Sequence, residues 1–111
     1  MIEKIVLDYL NNVMAVPVYM EMPEEPPKKF VLIEKTGSGL DNYIHAATLA
    51  VQSYGASLLE AANLNEEVKE FMLTITSLRE ICSCKLNSDY NYTDTQKKKY
   101  RYQAVFDLIH Y

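Results

Sequence analysis

The segment Lys99-Tyr100-Arg101-Tyr102-Gln103-Ala104-Val105-Phe106-Asp107-Leu108-Ile109 alternates in character with a period of two. Successive side chains of a strand point to opposite faces. One face is then Tyr100, Tyr102, Ala104, Phe106 and Leu108, apolar without a break. The other is Arg101, Gln103, Val105, Asp107 and Ile109, which is mixed. A helix would scatter these residues around its axis. The spacing predicts a strand of about 36 Å, at about 3.3 Å per residue. A strand of that length requires partners, so the rest of the chain is expected to build a sheet around it.

The nearest partner lies just upstream. Ile81 to Asp89 reads as a strand, with Ile81, Ser83, Lys85 and Asn87 facing one way and Cys82, Cys84, Leu86 and Ser88 the other. The polar stretch Tyr90 to Lys98 joins the two as a long hairpin. Before it, Ser57 and Glu60 have the spacing of a capping box at a helix start. Leu58, Ala61, Ala62, Val68, Phe71, Met72 and Ile75 supply the buried stripe of a helix from Ser57 to Thr74, about 27 Å long. Asn63-Leu64-Asn65 is a candidate break in it. Ile44 to Tyr54 forms a further strand, with Ala47, Leu49, Val51 and Ser53 on one face and Thr48, Ala50, Gln52 and Tyr54 on the other. Thr36 to Asn42 holds two of the three glycines and reads as a flexible loop.

Phe30 to Lys35 is a short apolar run with β-branched Val31 and Ile33, which favours a buried strand. Three prolines and four charges in Met22 to Lys29 make a stiff, solvated connection. Val16 to Glu21 reads as a short strand with Pro17 at its start, where the missing donor is tolerated. Ile2, Ile5, Val6, Tyr9 and Leu10 recur at helical steps, so Ile2 to Asn12 is the first helix. The expected order is α-β-β-β-α-β-β. Such grouping implies an α+β fold, a mostly antiparallel sheet with two helices packed on it.

The chain has 111 residues, which bounds it to a single domain spanning 1–111. At 49% apolar and 23% charged it is ordinary globular material. It has no apolar run long enough for a membrane span. Its start lacks the basic and apolar regions of a signal peptide, so a cytosolic location is expected. The formal charge of −4 counts against a general nucleic-acid binder, whose affinity comes largely from neutralising phosphates. Nine tyrosines suit half-buried strand positions and protein interfaces.

Composition and spacing alone point to no chemistry. Cys82-Ser83-Cys84 lacks the usual metal-knuckle spacing, and His45 and His110 supply no matching ligand pattern. Ordinary half-buried thiols are the simpler reading. A nucleophile and base drawn from Cys82 or Ser53, His45 and Asp41 has no motif to fix its geometry, and no Gly-x-Ser-x-Gly elbow is present. Gly37-Ser38-Gly39 lacks the Lys-Ser/Thr of a phosphate loop. Lys97-Lys98-Lys99, with Arg101 and Tyr90, Tyr92, Tyr100 and Tyr102 around it, could contact phosphates and stack bases. The favoured alternative is a solvated hairpin tip. No catalytic residue, metal ligand or cofactor site is expected.

Several ordered pieces carry a resemblance. They are Val16-Pro-Val-Tyr-Met-Glu with its Pro/Glu loop, Phe30-Val-Leu-Ile-Glu-Lys-Thr-Gly, Ala50-Val-Gln-Ser-Tyr and Ser57-Leu-Leu-Glu-Ala-Ala. Lys85-Leu-Asn-Ser-Asp-Tyr-Asn-Tyr-Thr-Asp and Arg101-Tyr-Gln-Ala-Val-Phe-Asp complete them. Together they resemble the prophage tail terminators (tail-completion or tail-to-head joining proteins) of Gram-positive bacteria, over nearly the whole chain. The resemblance implies a non-enzymatic virion protein without cofactors. It implies a hexameric ring that caps the tail tube, meets the head connector and lets DNA pass without binding it specifically. Such a protein works in the host cytoplasm during assembly and ends in the virion, with no membrane contact. A head–tail connector or head-completion protein, or a monomeric protein-binding module, is the alternative. Two segments are the expected interface positions because both are long and poorly explained by a core. They are the loop Gly37, Ser38, Gly39, Leu40, Asp41 and Asn42, and the turn carrying Tyr90, Tyr92, Lys97, Lys98 and Lys99.

Overall fold

Alternation and helical stripes resolve into eight elements in the computed structural model, which describes residues 1–41 and 44–111. In chain order they are α1 (Ile2–Val13), β1 (Val18–Tyr19), β2 (Phe30–Asp41), β3 (Ile44–Gly55) and α2 (Leu58–Leu73). A single 3-10 turn (Ile75–Ser77), β4 (Ile81–Asn91) and β5 (Tyr100–His110) follow. The strands form one sheet in the order β1-β2-β3-β5-β4. Only the β1–β2 pair is parallel. The other three pairs are antiparallel. The fold is therefore α+β, with two helices and a mostly antiparallel five-stranded sheet.

The period-two face of β5 supplies the centre of the core. Ala104, Phe106 and Leu108 are buried there beside Ala47, Leu49 and Val51 of β3 and Val31 and Ile33 of β2. Ile2, Val6 and Leu10 of α1 and Leu64, Val68 and Met72 of α2 close the same face. α1 lies over β1 and β2, and α2 over β3, β5 and β4. Among the described residues, helices cover one face of the sheet.

Several local details depart from the sequence reading. The expected break at Asn63–Asn65 does not occur; Leu64 and Asn65 are buried against the sheet and α2 runs through. Ser57 Oγ accepts from Glu60 N–H at 3.2 Å, which is the Ser57 half of the expected capping box. At Gly55 an added Cβ would lie 2.7 Å from Ala61 N and 2.8 Å from Glu60 Cβ. Only glycine lets β3 turn so closely into α2. The strand expected over Val16–Glu21 shrinks to Val18–Tyr19, because Pro17 offers only its carbonyl, which accepts from Val31 N–H at 3.0 Å. Asn11 completes β1 from α1: its amide accepts from Val18 N–H at 3.0 Å and donates to Val18 O at 3.1 Å.

The largest correction concerns Thr36–Asn42, expected as a loop. β2 continues to Asp41, pairing Gly37 with Thr48 and Leu40 with His45 after a register shift at Thr36. Backbone pairing with the well-formed strand β3 overrides the weak strand propensity of glycine. In β4, register shifts fall between Ile81 and Ser83 and between Leu86 and Ser88. Each bulge flips the alternation. Ile81 and Cys84, rather than Ile81 and Ser83, therefore face the core.

Candidate interaction surfaces

Residues of β2, β3, β5 and β4 that point away from the helices form an open face. Cross-strand register places Phe30, Tyr54 and Arg101 in one row, and Leu32, Gln52, Gln103 and Tyr90 in the next. Phe30 and Tyr54 stack with centroids 4.4 Å apart and planes 7° apart. A one-directional hydrogen-bond relay crosses the face. Arg101 Nη1 donates to Tyr54 Oη at 3.1 Å, Tyr54 Oη to Gln52 Oε1 at 3.0 Å, and Gln52 Nε2 to Gln103 Oε1 at 2.8 Å. Gln103 Nε2 then donates to Tyr90 Oη. Aligned donors of this kind polarise one another. The relay ends on the hydroxyl of the exposed Tyr90. Arg101 also lies 4.5 Å from the Tyr92 ring centroid, and its Nε donates to Tyr92 O at 2.7 Å. Tyrosine and arginine held rigidly on a surface are the residues most often found as binding hot spots.

The β4–β5 hairpin extends this face to one end of the molecule, whose extents are 45 × 25 × 25 Å. Asp94 and Lys99 exchange backbone hydrogen bonds at 3.1 Å. Asp94 Oδ1 accepts from the N–H groups of Gln96 and Lys97 at 3.1 and 3.2 Å. Lys98 takes a left-handed φ of 53° to close the turn. Lys97, Lys98 and Lys99 are exposed at the tip, and among the described residues none forms an ion pair. The root of the hairpin is tied to α2. Lys69 Nζ lies 2.7 Å from Asp89 Oδ2 and 2.8 Å from Glu66 Oε1, and Asn65 Nδ2 donates to Asp89 at 3.1 Å. The Lys69 hydrogen bond holds the Asp89 carboxyl below its ordinary range. The Asp89 and Glu66 hydrogen bonds push the Lys69 ammonium above its own.

The β2–β3 hairpin projects at the opposite end, because β5 begins beside Gly55 and finishes beside His45. Register puts Gly37, Thr48 and Asp107 in one row of the open face and Gly39, Ala46 and Ile109 in the next. With no side chains on the glycines, these rows enclose a trough of about 410 Å³. On the helix side of the same end, His45 and His110 stack with centroids 5.2 Å apart, and Leu40 is 64% exposed.

The expected interface residues thus fall into two groups at opposite ends. Tyr90 and Tyr92 meet edge to face at 5.9 Å beside the lysine tip. Gly37, Ser38, Gly39 and Leu40 lie on β2, Asp41 ends it, and Asn42 lies outside the described residues. Tyr100 and Tyr102 belong to the other face and do not join Tyr90 and Tyr92. Phe30, Gln52, Tyr54 and Gln103 are site residues that the sequence reading does not single out, and Arg101 enters it only beside the lysine run. Their signal was the mixed face of the β5 alternation, meaningful only once β3 stands beside it.

Of the conceivable nucleophiles and base, Ser53 and His45 are not brought together. Ser53 is fully buried on the helix side without a hydrogen-bond partner for its hydroxyl. His45 is eight residues away on the same strand, about 26 Å. Cys82 is exposed in the bulge, and burial pushes the Cys84 thiol up to about 11, with Asp107 adding to it. Among the described residues, no three histidine, cysteine or acidic side chains converge to hold a metal. No described helix is long and apolar enough to cross a membrane. No family model matches the chain, and no curated protein matches it.

Proposed function

We propose that this chain is a phage tail terminator, a structural subunit that forms a hexameric ring, caps the tail tube and joins it to the head connector. Two things support the reading: the sequence resemblance, and the placement of two hairpins of different chemistry at opposite ends of one sheet. The second observation carries it. A closed ring needs two different contact surfaces per subunit, arranged head to tail. A lysine-tipped hairpin and a glycine-floored trough with an acidic wall are such a pair. In this reading the protein is not an enzyme, uses no cofactor and passes from the host cytoplasm into the virion. The net charge of −4 suits a ring through which DNA slides without being held.

The test is light scattering over a concentration series, followed by co-sedimentation with tail tubes and with head-connector particles. A ring-sized species that binds tube ends supports the terminator. Binding to connector particles alone assigns the chain to the head–tail connector class. The rigid Tyr54–Arg101–Tyr92 platform favours a second reading, a monomeric protein-binding module. A monomer at all concentrations that ignores tubes and connectors selects that module and overturns the terminator.

A further inference from the structure

We propose that the β4–β5 hairpin tip of one copy seats, lysines first, in the trough over Gly37 and Gly39 of the next copy. The trough is floored by Gly37, Gly39, Ala46 and Thr48 and walled by Asp107 and Ile109. An added Cβ at either glycine would meet nothing within 4 Å, so the space above them is open. Asp107 stands exposed at its wall, and its two oxygens accept from Thr48 Oγ1 and Asn87 Nδ2, each at 2.9 Å. Both donors are neutral. Lys85 sits across from Asp107 on β4, yet among the described residues Asp107 forms no ion pair. Its carboxylate is fixed in position by two neutral donors.

The tip is the matching half. Lys97, Lys98 and Lys99 carry three charges without an ion pair among the described residues, and Asp94 of the same turn is engaged by two backbone N–H groups. The turn is closed by the left-handed Lys98 and by the Asp94–Lys99 bridge, so little ordering is left to do on binding. The two halves cannot meet within one molecule. Lys99 and Asp107 are eight residues apart along one strand, about 26 Å. A positive tip and an anionic trough at opposite ends of one chain make a heterologous contact, which repeats from copy to copy. A contact built on exposed charges weakens as salt rises. The pairwise contact stands on these observations, and only its closure into a ring rests on the terminator reading.

The test is site-specific cross-linking in a background carrying Cys82→Ser and Cys84→Ser. Chains with Lys98→Cys are mixed with chains carrying Gly39→Cys under mild oxidation. The control pairs Lys98→Cys with Thr76→Cys, an exposed position in the 3-10 turn after α2. The Lys98/Gly39 pair is expected to form the mixed disulfide about tenfold faster than the control, since the charged docking steers encounter. Replacing Lys97 and Lys99 with glutamate in the first chain should remove that advantage, and Asp107→Lys in the second should restore it. Equal rates for the two pairs, or rates unmoved by charge reversal, overturn the contact. A ring-sized particle lacking this cross-link overturns the contact and leaves the ring reading standing. Cross-linked open chains that do not bind tail tubes support the contact and overturn the ring.

Discussion

On the helix-covered side of the sheet, Leu49 and Phe106 lie side by side beneath α2, fully out of water. On the open side, Gln52 and Tyr54 are nearly as inaccessible, at 7% and 6% exposure, although no helix lies over them. The first pair is buried from above by apolar contact. The second is buried sideways, by Phe30 stacking on one flank and by Arg101 and Gln103 hydrogen-bonding on the other. The contrast shows how a half-open sheet keeps a rigid, wettable face. Polar residues there shield one another instead of waiting for a cover, and each satisfied donor keeps its burial from being costly.

The contrast can be broken from the inside first. Phe106→Ala should cost about 3–5 kcal/mol, read from the midpoint of chemical denaturation, because the cavity lies where no element can collapse into it. Gly55→Ala comes next. Its methyl group would press on Ala61 N and Glu60 Cβ, and about 1–3 kcal/mol should be lost by the same measurement. A neutral Gly55→Ala would mean that α2 can slide on the sheet. On the open face, Tyr54→Phe removes the donor to Gln52 and the acceptor for Arg101 while keeping the ring stack. It should cost about 1–2 kcal/mol. A larger loss would show that the relay acts as a unit.

The smallest effect sharpens the comparison at its margin, where β4 is tied to α2. Asp89→Asn should cost about 0.5–1 kcal/mol at neutral pH, since both partners of its ion pair are partly exposed. The sign with pH follows from the directions. The Asp89 carboxyl is held below its unfolded value, so its contribution is present above the ordinary carboxylate range and is lost as pH falls through the lowered value. Lys69 is held above its unfolded value, so its share is lost only as pH rises through that raised value. The variant should therefore match the wild type in strong acid and diverge from it above the carboxylate range.

Much of the fold was legible in the sequence because period and burial agreed. β5 shifts by only one residue from the segment that the alternation marked out, and α1 and α2 keep their expected spans to within a residue, although Leu58 of the expected stripe is exposed and Leu64 and Asn65 are buried instead. What failed depended on partners. The glycines of Gly37–Asp41 have no strand preference of their own and are ordered by β3 alone. The bulges of β4 leave no trace in its composition, yet they decide which thiol faces the core. The surfaces were half legible. Lys97–Lys99 announce themselves as a charge run, whereas the Arg101–Tyr54–Gln52–Gln103–Tyr90 relay joins three strands distant in sequence and exists only in the assembled sheet.

Asn11 has a kinetic consequence. Its side chain presents one donor and one acceptor to Val18, as a neighbouring strand would, and it rides on a helix. The outer edge of β1 is therefore closed by an element that must dock before the edge is sealed. The Val18 amide proton can trade with deuterium once the Asn11 side chain releases it, with the rest of the sheet still intact. A single exchange rate, followed by nuclear magnetic resonance, thus clocks the opening of this latch separately from the unfolding of the sheet.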